Sequence, residues 1–295
     1  MIINLKYHIA SLAAVFLALG LGVLIGGAVP GDGVLVDEQQ RITGKLEIQI
    51  EKLRQKNDIL QSRIDTLESD NNIMGQFERQ VLPVLVSGRL NGHSIGIIDT
   101  GGGDLAGELA DSLTAAGSSV NCIISMGGLR QKDAMEICGM LGWECPPDNT
   151  FLSRLSMEIS RSIAEGDCNI IDMLADAGVI KARVHPGSPV TDLVVIGGRG
   201  DKGQQKTFEL DQDIVDCLGR RNISVYGVER SSDLYSSMEE YQRLGIATVD
   251  NIDTIAGQVA LVYSISGQPG NYGIKPTARS LVPVPEKGVA VYAGQ

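Results

Sequence analysis

An uncharged run from Ile9 to Val29 constrains this chain more than any other feature. Its 21 residues, at about 1.5 Å of helical rise each, span roughly 30 Å, the thickness of a bilayer's hydrocarbon core. A secretory signal is the rival reading. Its apolar part is typically about 7–15 residues, and no A-x-A cleavage pattern follows here. Residues 1–30 are therefore read as an uncleaved transmembrane anchor. Lys6 and the start amine precede it, and Asp32, Asp37 and Glu38 follow soon after. Basic flanks stay in the cytoplasm, so the expected location is the cytoplasmic membrane, single-pass, with the N-terminus inside and the rest extracytoplasmic. Ala10, Ala14, Ala18, Gly22 and Gly26 recur every four residues along this helix. That small-xxx-small stripe ends in GxxxG and lets two helices approach closely.

The next segment, 36–82, is polar and nearly free of Gly and Pro. Its apolar residues fall into heptads, with Leu46, Leu53, Leu60, Leu67 and Met74 at d and Ile50, Asn57, Ile64 and Asn71 at a. Leu at d with Ile and Asn alternating at a is the pattern of a parallel two-stranded coil. Each Asn lowers stability but fixes register by pairing with its twin. A helix packed on its own globular domain would carry a wider apolar face. The stripe (Ala14, Ala18, Gly22, Gly26) and the seam (Leu46, Ile50, Leu53, Asn57, Leu60, Ile64, Leu67, Asn71) thus point separately to a parallel homodimer. The stalk would be on the order of 65 Å long. Gly75, Pro83, Ser87 and Gly88 mark its expected end.

Beyond the stalk, residues 88–266 alternate short apolar runs with helical patterns. Runs at Ser94–Asp99, Ser119–Met126, Asp192–Gly198, Ile223–Glu229 and Ala247–Val249 read as strands. Helices are expected at Leu105–Ala116, near Lys132–Leu141, Phe151–Ala164, Ile170–Ala177, Asp211–Arg221, near Leu234–Leu244, and at Thr254–Ile265. This alternation implies an α/β domain, Rossmann-like and doubly wound around a parallel sheet. Aromatics at 4% and 36 glycines agree with tight strand-to-helix turns. Residues 267–295 are Gly/Pro-rich and read as an irregular tail. A net charge of −11 argues against nucleic acid as a partner, since phosphate binding needs Lys and Arg.

Asp99, Gly101, Gly102, Gly103 and Asp104 lie where an α/β fold binds phosphate at a helix start. The spacing is GxGxxxG rather than GxGxxG, and no acidic residue ends the second strand to meet a ribose. A tight turn with Asp104 as N-cap is the plainer reading. Asp99, Asp250 and Asp253 could gather at the C-terminal sheet edge around a cation or a small polar ligand, with Asp253 also a candidate cap of the last helix. Arg199-Gly200-Asp201 reads as a loop. For soft metals the candidates are Met126, Met135, Cys138, Met140 and Cys145, whose thiolate and thioether groups favour Cu(I). Met135 and Cys138 share a helix face by spacing, and that face is equally a core face. The five cysteines show no CxxC; a Cys138–Cys145 disulfide is one pairing among several open ones. No zinc pattern and no G-x-S-x-G occurs, so no enzyme is indicated.

Three blocks carry a family resemblance: Leu5–Gly20 (LKYHIASLAAVFLALG), Tyr241–Thr254 (YQRLGIATVDNIDT) and Gly270–Ala278 (GNYGIKPTA). Together they resemble the mycobacterial copper transport protein family (MctB-like). Corynebacterial relatives (SteB-like) are linked to cell separation with a cytoplasmic-side partner, SteA. The resemblance implies copper as the cofactor or cargo, and either copper homeostasis or envelope and division control, with a SteA-like protein or an envelope enzyme as partner. A pore is hard to build from one helix with no polar residue after Ser11. The expectation is therefore an accessory to copper handling. The alternatives are a scaffold or regulator of division or wall remodelling, and a small-ligand-binding outer domain.

Overall fold

The computed structural model describes residues 5–28, 33–101, 104–130, 134–145, 150–198 and 205–283. The chain forms two compact units, Met1–Met74 and Gly75–Gln295.

In the first unit, α1 (Leu5–Ala28) is built from Ala, Leu and Gly, and its stretch Lys6–Gly27 is long and apolar enough to cross a membrane. The Ser11 hydroxyl donates to the His8 carbonyl at 3.1 Å, so it is satisfied within its own helix. A second helix, α2 (Gly33–Val86), runs 54 residues without a break. It passes through Gly75 and Pro83, where the sequence pattern placed the end of the stalk. Pro83 lies in the last turn, and its carbonyl accepts the Ser87 N–H at 2.9 Å. Within the single chain the apolar seam has no cover: its Leu and Ile side chains stand between 47% (Ile64) and 66% (Leu53) exposed.

The second unit begins on the end of α2, whose Leu82 and Val86 are buried in the domain core. The sheet contains β1 (Ser94–Asp99), β2 (Ser119–Ser125), β3 (Lys181–Val184), β4 (Asp192–Ile196), β5 (Ser224–Val228), β6 (Ala247–Val249) and β7 (Asn271–Tyr272). Their order is β3-β2-β1-β4-β5-β6-β7. Every pairing is parallel except β2 with β3. The helices are α3 (Leu105–Ala115), α4 (Ala134–Leu141), α5 (Thr150–Glu165), α6 (Asn169–Asp176), α7 (Gln205–Gly219), α8 (Met238–Arg243) and α9 (Ile255–Ile265).

Strand alternation sends successive side chains to opposite faces. Leu193 and Val195 pack on one face with Ile137 of α4, Leu155 of α5, Ile171 of α6 and Ile214 of α7. Val194 and Ile196 pack on the other with Val86, Leu109 of α3 and Leu261 of α9. Helices on both faces of a mostly parallel sheet are the doubly wound arrangement.

Four details differ from the sequence expectations. β3 and β7 form both sheet edges, although neither segment reads as a strand. Helix α8 starts at Met238, leaving Leu234 in a loop. Helix α7 starts earlier than expected, at Gln205. Most consequentially, residues 267–283, otherwise turns and bends, add a two-residue strand to the sheet, β7 beside β6.

Candidate functional site

Ligands of doubly wound folds bind beyond the C-terminal strand ends, at the point where the strand order reverses. Here that point lies between β1 and β4. The Thr100 and Gly101 N–H groups both donate to the Ile196 carbonyl, at 3.1 and 3.3 Å. The Thr100 hydroxyl donates to the same oxygen at 3.2 Å. Two of the amides that a phosphate would need therefore serve the neighbouring strand. Gly102 and Gly103 lie outside the described residues, as does the Arg199–Asp201 motif. Asp99 is buried and has a polar partner. Asp104 precedes α3 but makes no side-chain cap hydrogen bond.

Asp99 and Asp250 share the C-terminal edge but do not converge. They end β1 and β6, three strand spacings apart in the sheet order, or about 14 Å. Asp250 instead organises the tail. Its carboxylate accepts the Ile274 N–H at 2.7 Å and the Lys275 N–H at 3.0 Å. Asp253 does not cap α9. It accepts Ser231 N–H and Oγ–H at 2.7 and 2.6 Å, and Thr254 is the cap, accepting the Gly257 N–H.

The densest polar cluster on this edge surrounds two residues that no motif singles out. Glu229 is fully buried and Lys275 nearly so, with Nζ 2.6 Å from Oε1. Glu229 also accepts Ser236 Oγ–H at 2.6 Å and Ser237 N–H at 2.8 Å. Lys275 Nζ further donates to the Arg230 and Asp233 carbonyls. Burial pushes the Glu229 carboxyl above its ordinary range, and Lys275, Ser236 and Ser237 pull the other way. All three ammonium donors thus have acceptors, which is the condition of a buried lock rather than of a reactive amine. The signal available in the sequence was Lys275 itself, inside the Gly270–Ala278 block. The partner 46 residues away has no local signature.

A second polar cluster, around the buried Asp192, lies at the opposite strand ends. Asp192 accepts Thr191 Oγ–H at 2.7 Å, contacts His93 Nδ1 at 2.7 Å, and lies 3.5 Å from the Tyr226 hydroxyl.

Of the soft-metal candidates, Met126 is a core residue. On α4, Met135 is 72% exposed and Met140 42%, whereas Cys138 is 1% exposed. Met135 and Cys138 therefore do not share a face, despite their spacing. Cys138 and Cys145 are neighbours: the Cys145 thiol donates to the Ala134 carbonyl at 3.6 Å, one helical turn before Cys138. Among the described residues, no group of three or more His, Cys, Asp or Glu is placed to hold a metal.

One apolar N-terminal helix, a long polar helix and a doubly wound α/β domain define the class of this protein. The chain belongs to the family described as "Copper transport outer membrane protein, MctB", which it matches over residues 2–128 and 151–283. The stretch between the two matched blocks carries Met135, Cys138, Met140 and Cys145. No curated protein matches the chain.

Proposed function

We propose that this protein is a membrane-anchored, dimeric envelope protein that assists copper homeostasis and is neither a pore nor an enzyme. The observation that carries this reading is a single apolar span among the described residues, in a chain belonging to a copper transport family. A conducting path needs polar groups facing a bundle interior, and after Ser11 this helix has none. The sheet is open and mostly parallel, unlike the closed antiparallel barrels that span outer membranes. The family match does not cover the α4 cysteines and methionines, so this reading assigns the copper role to other residues or to a partner protein. The polar groups around Lys275 are saturated internally, which speaks against a catalytic site there.

A strain lacking the protein should show altered copper sensitivity, restored by the full chain and equally by a chain carrying M135L and C138S. Unchanged sensitivity would remove the copper role. A second reading is favoured by the 54-residue helix with its uncovered apolar seam: a dimeric stalk suited to a scaffold for cell division or wall remodelling. Defective cell separation in the same strain, with normal copper sensitivity, would select it.

A further inference from the structure

The stretch 129–150, outside the family match, holds a local arrangement with its own chemistry. Helix α4 is followed by Gly142, which adopts φ +64°, a left-handed conformation that Gly takes without strain. The Trp143 N–H then donates back to the Cys138 carbonyl at 2.9 Å. This closing turn reverses the chain, so that the following residues run back along the helix they have just left. Trp143 is held there by an edge contact with Phe151, centroids 6.5 Å apart, and by the Arg154 guanidinium 4.3 Å over its ring. Cys145 thereby reaches the first turn of α4, where its thiol donates to the Ala134 carbonyl at 3.6 Å. Ala134 and Cys138 are one turn apart on the same side of the helix. The returning residues thus bring Cys145 beside Cys138.

We propose that Cys138 and Cys145 form an intramolecular disulfide, making this turn a covalent staple. The proposal rests on the reading that the α/β domain lies outside the cytoplasm, where disulfides persist. Cys145 is half-buried and Cys138 buried, which sets the order of events. An external disulfide RS–SR is attacked by the Cys145 thiolate; the Cys145–SR bond forms and RSH leaves. Cys138 then gives up its proton and attacks the Cys145 sulfur, the S–S bond to R breaks, and a second RSH leaves. The two protein thiols are oxidised by two electrons and RS–SR is reduced to two RSH. Burial and the neighbouring Cys145 thiol push the Cys138 thiol up to about 11, consistent with its role as the second, resolving sulfur.

The test uses the full chain in two settings: reduced and then exposed to oxidised glutathione in detergent, and acid-quenched directly from cells. Both samples are denatured, labelled with a maleimide and analysed by peptide mass spectrometry. Three labelled cysteines instead of all five, with one linked peptide pair containing Cys138 and Cys145, is the expected result in both. C138S should accumulate a glutathione adduct on Cys145, whereas C145S should leave Cys138 free. A link formed with glutathione but missing in cells would support the pair and overturn the extracytoplasmic reading. Five labels in both settings, or a bond joining any other pair, would overturn the proposal.

Discussion

Lys275 Nζ and Glu229 Oε1 sit 2.6 Å apart, with the carboxylate fully shielded from solvent. This contact ties the C-terminal segment to the end of β5. Removing one member leaves the other charge buried alone, which costs about 3–5 kcal/mol. K275M should therefore be strongly destabilised at neutral pH, as read by thermal or urea unfolding. The pH dependence has a definite sign. Burial already holds the Glu229 carboxyl above the ordinary carboxylate range when folded, and loss of Lys275 raises it further. A carboxyl so shifted favours folding most below its unfolded pKa, and that contribution is lost as pH rises through the folded pKa. The defect of K275M should accordingly shrink as pH falls toward 4.5. The double variant K275M/E229Q should recover most of the loss at pH 7. A defect independent of pH would show that the ion pair is not the source of the stability.

Gly273 is the hinge of the same lock. It adopts φ +136°, and a Cβ there would meet the Asp250 carboxylate. G273A should strain the backbone and displace the carboxylate from the Ile274 and Lys275 amides, costing more than about 1 kcal/mol. Hydrogen exchange is the direct readout: the amides of Ile274 and Lys275 should lose protection while those of β1 and β4 keep theirs. Uniform loss of protection across the sheet would mean that the segment is integral to global stability rather than a separable latch.

The central strands were readable because β-branched runs such as Ser94–Asp99 and Asp192–Ile196 are bounded by turn residues and are buried on both faces. The two edge strands were not. In Lys181–Val184 charged and apolar residues alternate over only four positions, and Asn271–Tyr272 contributes two. Both are defined by backbone pairing with a neighbour that a linear pattern does not name. Gly273, one of the residues that make the tail read as irregular, adopts φ +136° against the Asp250 carboxylate. Asp99 and Asp250 stand at the ends of β1 and β6, but their separation depends on strand order, which alternation alone leaves open. Met135 and Cys138 fail as a pair for a related reason. Their i,i+3 spacing permits a shared face, but the core contacts Cys138 alone.

Asp192 gathers His93, Thr191 and Tyr226 at the N-terminal ends of the strands. Burial, and then the Asp192 charge, push the Tyr226 phenol up to about 12. D192N removes the charge but not the burial, so the phenol should titrate lower than in the parent chain yet still above the ordinary value of 10.0. Ultraviolet titration against a Y226F reference isolates this one tyrosine. An unchanged value would mean that burial alone sets it. The hydroxyl contact itself is long at 3.5 Å, so Y226F should cost little through that bond.

The 54-residue helix α2 offers the sharpest test of the proposed dimer. In a parallel, in-register coil each a residue faces its own copy across the seam. N57C and N71C, made separately, should then each give a covalent dimer under mild oxidation, seen on a non-reducing gel beyond any background from the native cysteines. An antiparallel pair can bring at most one of these two positions opposite itself, so cross-linking at only one would refute the parallel register. Replacing both Asn residues with Leu should raise thermal stability but broaden the assembly beyond the dimer, because the buried amides fix strand number at a cost in stability. Sedimentation of the full chain in detergent distinguishes the outcomes. A double variant that stays strictly dimeric would shift the burden of specificity to α1, whose Gly22 and Gly26 leave space where a partner helix could pack. G22L and G26L would then be the substitutions that dissociate it.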